Sequence, residues 1–552
     1  MRKNEKTAFK PSKVYLTAFC LIFCFIELWS LATPLFAGPD EPVQVIKSYA
    51  VDHGQLLGQL DTQPGQQEFS LVHVPGFYSV DRAVPKCFDH HSTVPASCAP
   101  PLTTVCHHPV GSTAPPCGVA FIYNARYPPL YYLAMGTVSF LAPGKAVLYL
   151  MRALSALIET AFLALAVMSV LCYSSRPLMV VGVIVAMTPM VIYLGGIVNP
   201  ASIEISAGLA TWTTGLILAA DRQCKNRRML LVFLGISASV MVLMRPISPF
   251  WLALIALFVV FSGSKDTVLS LMKRRDFQVA AGIIFFFAVL ATVWILKEHA
   301  TDVLSTSKVP AGVPFLNILE ESFRHNVYYI PTMIGVFGTF DTYAPALTYL
   351  LYYAMITVMF VMAFVAGGKK DRFLLLALLL LIVCIPVAIS SSQAHLYGYT
   401  WNGKDTLPFA VGLPILSADI LLRRLSRPKG ASEGTQILSA EAILEGAQES
   451  GDPGKSGRKN HLRKSAVTPS VWKRMVIMFF VMAALGQFLA FYEAIRRYAA
   501  GTSGPVFSFL HSSPWDAPLG NGSLVVIFFL LSCVFVFLGV KLVVWLQKNT
   551  AA

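Results

Sequence analysis

Residues 14–36 read VYLTAFCLIFCFIELWSLATPLF, and the turn Gly38-Pro39-Asp40-Glu41-Pro42 follows at once. The run is long enough for a helix to cross ~30 Å of hydrocarbon, which takes about 20 residues. Basic residues Arg2, Lys3, Lys6, Lys10 and Lys13 precede it. A cleaved signal peptide is the competing reading. The run exceeds a typical signal core, and Leu35 suits a cut after Ala37 poorly, so an uncleaved anchor is expected. Residues 1–13 then form a cytoplasmic N-terminus.

The pattern repeats along the chain. Hydrophobic residues make up 55% of the 552 and charged residues only 13%, so a polytopic helical membrane protein is expected. About twelve spans are read, with the ~20-residue window, at 14–36, 149–172, 178–198, 201–220, 229–244, 248–262, 279–297, 344–366, 373–391, 407–422, 475–495 and 523–546. The two around Arg245 are short enough to be one broken element. Alternation places Arg222–Arg228, Lys273–Arg275, Lys369–Arg372 and Arg423-Arg424 on the side of the basic N-terminus, as positive-inside orientation requires. Both termini are therefore expected in the cytoplasm. Most Lys and Arg fall in such short loops beside membrane ends, so the formal charge of +14 gives no footprint for nucleic acid.

The opposite side carries the unusual material. Residues 37–148 form a large first extracytoplasmic loop that includes Arg126-Tyr127-Pro128-Pro129-Leu130-Tyr131-Tyr132, and its residues 130–142 are too short to span. An interfacial or re-entrant helix is expected there. The body then covers 149–422, with a second outer loop at 298–343. Residues 423–474 read as a cytoplasmic disordered linker, and 475–552 as a two-helix hairpin. Cys87, Cys98, Cys106 and Cys117 all fall in the first loop, an even set that reads as two disulfides of unassigned pairing. Histidines share the loop, but no metal-ligand spacing appears, and no metal is expected.

Ionisable groups inside apolar runs need a reason. Glu27, Arg152 and Glu159 read as mutual pairing or snorkelling. Arg245 lies near the outer face, as do Arg126 and Lys404, and the three are candidates to meet one phosphate. Asn199-Pro200 turns at the same face, one helical turn before Glu204. Asp40 and Glu41 have two readings: caps of the helix starting near Pro42, or a general base at the membrane surface.

Gly38-Pro39-Asp40-Glu41-Pro42, Tyr127-Pro128-Pro129-Leu130-Tyr131-Tyr132, Asn199-Pro200 before Glu204, Met244-Arg245-Pro246 and Trp401-Asn402-Gly403-Lys404-Asp405 before Leu407-Pro408 stand in a fixed order. Together they resemble the bacterial membrane proteins of domain-of-unknown-function family 2142, over roughly residues 14–420. Two departures stand out. Val43-Gln44-Val45 follow the second proline, where a His or another polar residue is usual, and Gly403-Lys404-Asp405 replace a usual Gly-Arg-Tyr.

That family resembles C-type (GT-C) glycosyltransferases, which use polyprenyl-phosphate sugars on the outer face. The resemblance implies an inverting transfer to an envelope glycan or lipid acceptor in a bacterial cytoplasmic membrane. Asp40 would be the base, with Glu41 assisting or substituting. Arg126, Arg245 and Lys404 would hold the lipid phosphate, and Tyr127, Tyr131, Tyr132, Asn199 and Trp401 would line the substrate site. Membrane lipids, the lipid-linked sugar and the acceptor are the implied partners, with no cofactor beyond the donor. The alternatives are a transporter or flippase of lipid-linked precursors, and a non-catalytic subunit of an envelope assembly.

Overall fold

A computed structural model describes residues 10–61, 69–79, 87–99, 118–301, 309–425 and 469–550. Helix α1 (Pro11–Ala32) starts on a proline, which suits a first helical turn, and stops at Thr33-Pro34, where the ladder cannot continue. The chain reverses through Phe36 and Asp40, both with positive φ, into the short helix α2 (Glu41–Asp52).

The first loop is not all helix. Strands β1 (Gln59–Asp61), β2 (Phe69–His73) and β3 (Val119–Ile122) form an antiparallel sheet in the order β1-β2-β3, with Leu71 opposite Phe121 and Val72 opposite Ala120. This corrects the all-α expectation; strands of three to five residues are too short to declare an alternation. A single turn, α3 (Gly76–Ser79), precedes the loop's one described disulfide, Cys87–Cys98. Cys106 and Cys117 lie outside the described residues. The interfacial helix is present as α4 (Leu130–Gly136) with a 3-10 turn to Phe140. Its Tyr131 and Tyr132 are buried, whereas Leu130, Leu133, Phe140 and Leu141 are exposed, as an element lying in the membrane boundary requires.

The body follows as α5 (Lys145–Met168), α6 (Val180–Ala186), α7 (Pro189–Gly195), α8 (Pro200–Ala220), α9 (Arg227–Val242), α10 (Ser248–Ser262), α11 (Lys265–Met272) and α12 (Arg275–Lys297). After the second outer loop, with α13 (Phe315–Arg324), α14 (Asn326–Gly335) and the hairpin β4 (Val336–Phe337) and β5 (Thr342–Tyr343), come α15 (Ala346–Ala366), α16 (Lys369–Tyr397), α17 (Gly403–Ala410) and α18 (Gly412–Leu425). The chain closes with α19 (Pro469–Ala500) and α20 (Asn521–Thr550). The expected linker is therefore narrower than 423–474, since Arg423 and Arg424 belong to α18 and residues 469–474 to α19; the rest lies outside the described residues.

Among the described residues nine helices are long and apolar enough to cross a membrane, or ten if the α6–α7 pair, bent by 73°, is one span. The bend follows from Thr188-Pro189: Pro189 opens α7, and the Thr188 hydroxyl caps it by accepting from the Val191 N–H. The other two of the twelve expected spans, α9 and α10, are helices of 16 and 15 residues. At ~1.5 Å per residue such helices fall short of ~30 Å of hydrocarbon. Both begin or end on the basic side, so the Leu243–Ile247 turn between them is recessed from the opposite face.

Helix α8 is the centre of the bundle, with 94% of its apolar window buried, against 17% for the peripheral α12. It packs on α5, α7, α9, α10 and α17. On the basic side, Arg176 and Arg423 pair with Asp419 at 2.5 and 2.9 Å, tying the ends of α6 and α18. On the loop side, Arg497 of α19 donates to the Phe88 carbonyl at 2.6 Å and to Asp341 at 2.7 Å, latching the disulfide loop to the last hairpin.

Candidate functional site

The acidic pair of the first turn divides between two environments. Glu41 points inward and is 1% exposed. Arg152 of α5 meets it in a two-pronged pair, Nε to Oε1 and Nη2 to Oε2, both at 2.7 Å. The Val198 N–H adds a third hydrogen bond to Oε1 at 3.1 Å. The remaining donors of Arg152 reach the carbonyls of Ser30, Thr33 and Pro34 at 2.7–2.9 Å. Such a saturated, dry fork holds the end of α1 against α2, α5 and the α7–α8 turn. Glu41, expected to assist as a base, is committed to this structural pair.

Asp40 faces the other way. It occupies the capping position of α2 with φ 61° and ψ 0°, yet its side chain caps nothing. A non-glycine residue in this left-handed region is uncommon and is held by its surroundings. Asn199 supplies part of the hold: its Nδ2 donates to the Pro39 carbonyl at 2.9 Å, while its Oδ1 caps α8 at the Ala201 N–H. The Asp40 carboxylate, 37% exposed, forms an ion pair with Lys404, which is itself 4% exposed. Its other oxygen accepts from the Tyr123 hydroxyl at 2.5 Å. Burial works against the charged form, but the Lys404 ammonium, the two hydrogen bonds and the Arg245 charge hold the Asp40 carboxyl below the usual carboxylate range. Asp40 is therefore ionised at neutral pH. Burial and the neighbouring Asp40 charge push the Tyr123 phenol well above its ordinary range, so it remains a donor.

Lys404 and Asp405 open α17. The Asp405 Oδ2 accepts from the Asn402 N–H at 3.0 Å in a capping box, and its Oδ1 accepts from Arg245 Nη2 at 2.7 Å. Gly403 is required by close approach: a Cβ there would stand 2.2 Å from Thr332 Oγ1 and 2.3 Å from the Tyr329 carbonyl. Arg245, in the recessed turn, also donates to Glu204 at 3.3 Å, and Ser248 Oγ donates to the same carboxylate at 2.7 Å. Burial raises the Tyr127 pKa first, and the charges of Arg245, Asp40, Asp405 and Glu204 all act on its hydroxyl.

Asp40 and Lys404 thus meet, Arg245 reaches the same end of α17 through Asp405, and Asn199 holds the Pro39 carbonyl next to Asp40. Arg126 is half-buried beyond Tyr127, and its carbonyl accepts from the Trp294 indole at 3.0 Å. Tyr131 turns into the bundle, where its hydroxyl meets Ser155 at 3.3 Å, so it does not line the site as expected. Trp401 is 9% exposed and supports α17 through Thr406 at 3.0 Å. The cations are not waiting bare for an anion: Asp40, Glu204 and Asp405 set three carboxylates against Arg245 and Lys404. An incoming phosphate must exchange with them. Among the described residues no group of three or more His, Cys, Asp or Glu side chains is placed to hold a metal ion.

Two residues that sequence reasoning passed over hold the site in shape. Tyr123 follows directly from β3, and Lys47 lies on α2. Lys47 is 1% exposed and donates to the carbonyls of Asn124, Ala125 and Tyr127 at 2.7–2.9 Å, with its ammonium 4.2 Å above the Tyr132 ring. Burial draws it well below the usual lysine range. Gln44, one turn earlier, accepts from Asn124 and Tyr132 at 2.8 and 2.7 Å. The spacing Gln44, Lys47, Ser48, Val51 was the available signal, a helical stripe that includes polar residues but is buried.

Beside the cluster, an apolar groove of about 1120 Å³ runs between α9 and α12. Leu130, three residues after Tyr127, lines one end, and Arg228, Arg274 and Arg275 line the other. No curated protein and no solved structure matches the chain. Residues 23–403 match the family model described as Predicted membrane protein (DUF2142), and the chain belongs to that family.

Proposed function

We propose that this protein is an outer-face glycosyltransferase of the GT-C type that takes a sugar from a polyprenyl-phosphate donor. The observation that carries the reading is Asp40: an ionised, partly exposed carboxylate in a constrained backbone, between Lys404 and Tyr123 and close to Arg245. The recessed α9–α10 turn gives a donor phosphate room to reach Arg245. The α9–α12 groove ends beside the same loop and suits an isoprenoid chain. The basic side is then cytoplasmic, in a bacterial plasma membrane, with both termini on it.

In this mechanism the donor phosphate draws Lys404 and Arg245 away from their carboxylates. The ammonium that held the Asp40 pKa down is then shared, so the carboxylate becomes a stronger base when the donor is in place. The acceptor hydroxyl oxygen attacks the anomeric carbon, and its proton passes to Asp40. The bond from that carbon to the phosphate oxygen breaks with inversion, and Lys404 and Arg245 stabilise the charge on the departing polyprenyl phosphate. The acceptor is an envelope glycan or lipid.

Binding of a polyprenyl phosphate to the purified chain tests the counter-ion exchange. Lys404→Gln should weaken it, whereas Asp40→Asn should leave it intact or tighten it by freeing Lys404. Equal affinity in all three proteins would remove the site from this role.

One observation favours transport instead. Glu159 is fully buried in α5, and among the described residues no cation pairs with it and only the Ser202 hydroxyl comes near, which suits a proton-carrying group. Loss of proton-coupled movement of a lipid-linked precursor in Glu159→Gln, with Asp40→Asn unaffected, would bring that reading forward.

A further inference from the structure

A second groove, about 660 Å³, opens between α1, α19 and α20, with Val167 of α5, Val180 and Ile184 of α6 and Tyr352 of α15 also lining it, and it belongs to none of the machinery described above. Its walls follow helical spacing. Lys13, Thr17, Leu21 and Phe25 form one stripe of α1, and Lys541, Trp545 and Lys548 continue one stripe at the end of α20. Phe480, Ala483, Ala484 and Gln487 supply the α19 wall.

The three helices are drawn together toward the loop side by aromatic contacts. Phe25 meets Phe528 edge-on at 4.9 Å, and Phe491 stacks on Phe528 at 4.1 Å. Toward the basic side α19 and α20 stay in contact through Phe480 and Phe535, whose rings lie 5.3 Å apart in the wall of the groove, and its mouth carries three lysines. Lys13, Lys541 and Lys548 are all exposed, and among the described residues none has a carboxylate partner. Lys541 rests over the Phe537 ring at 4.4 Å. Lys13 begins α1 and Lys548 ends α20, so the antiparallel helices set their charges at the same membrane level.

We infer that this groove binds an anionic glycerophospholipid of the cytoplasmic leaflet, its phosphate between Lys13, Lys541 and Lys548 and an acyl chain between α1, α19 and α20. An apolar slot open to hydrocarbon is filled by lipid tails, and three ammonium groups with no carboxylate partner among the described residues, Lys541 two helical turns in from Lys548, select a negative headgroup. Trp545, between the two α20 lysines, suits the same boundary. The inference is independent of the transferase reading, because it uses neither Asp40 nor the α9–α12 groove.

Native mass spectrometry of the full chain in a neutral detergent tests it, with dioleoyl-phosphatidylglycerol, dioleoyl-phosphatidylcholine and a polyprenyl phosphate as probes. Phosphatidylglycerol should be retained over phosphatidylcholine. Each lysine replaced in Lys13→Gln, Lys541→Gln and Lys548→Gln should weaken retention by about fivefold. The control pair Lys265→Gln and Lys273→Gln, exposed on the same side but outside the groove, should leave it unchanged. Ala484→Phe, which fills the slot without altering charge, should lower retention of phosphatidylglycerol in protein that elutes as wild type. Equal retention of the two phospholipids, or undiminished selectivity in the triple lysine variant, would overturn the inference. So would retention of polyprenyl phosphate alone, lost with the same lysines.

Discussion

Replacing Arg152 by methionine removes one half of a dry ion pair while keeping much of its volume. Five donor contacts vanish at once: two to Glu41 and one each to the carbonyls of Ser30, Thr33 and Pro34. Glu41, 1% exposed, is left as a buried charge with only backbone donors from Val198 and, at 3.4 Å, Gly38. Leaving one member of such a pair typically costs about 3–5 kcal/mol, so Arg152→Met should be among the most damaging single changes in the chain. Glu41→Gln should be milder, because Arg152 keeps its three carbonyl acceptors. Glu41→Met combined with Arg152→Met should recover much of the loss, because two apolar side chains replace two charges that no longer need each other. The assay is the temperature at which the detergent-solubilised chain loses its monodisperse elution peak. A double variant less stable than Arg152→Met, or an Arg152→Met protein as stable as wild type, would refute the reasoning.

Tyr123→Phe deletes a hydrogen bond to the charged form of Asp40, so the Asp40 pKa must rise. Under the transferase reading the base is ionised above its pKa, and the acidic limb of the pH–rate profile should move to higher pH; an unmoved limb would separate Tyr123 from the base. Lys47→Met strips one buried ammonium from three carbonyls and should destabilise the chain by about 1–3 kcal/mol, read as a lower melting temperature and faster exchange of the 124–127 amides. Gly403→Ala should disturb α17 against α14, costing about 1–3 kcal/mol, because the added methyl would lie 2.2 Å from Thr332 Oγ1. Its yield and thermal stability should fall together.

The membrane body was legible because its signal is length and apolarity within a single segment. Arg245-Pro246 was legible as a turn for a related reason: an arginine and a proline interrupt an otherwise apolar stretch. Its depth was not, since the recess follows from two helices of 16 and 15 residues that end early. The sheet in the first loop escaped notice because β1 and β2 pair across residues that carry no regular alternation. The division of Asp40 from Glu41 was unreadable for a deeper reason. Their partners Lys404 and Arg152 lie 364 and 111 positions away, and neither pairing leaves a local mark. Adjacent acids on a turn with positive φ simply point to opposite sides. Lys47 was hidden by residue type, because a lysine on a loop-side helix reads as solvated until its three carbonyl acceptors are in view.

The central claim is that Asp40 accepts a proton during sugar transfer. Envelope glycans and lipid-linked sugars from cells carrying equal amounts of wild-type or Asp40→Asn protein test it most directly. The account predicts a mutant that lacks one sugar substituent and accumulates the matching polyprenyl-phosphate sugar. Unchanged glycans, or a whole lipid-linked intermediate stranded on the inner leaflet, would contradict it.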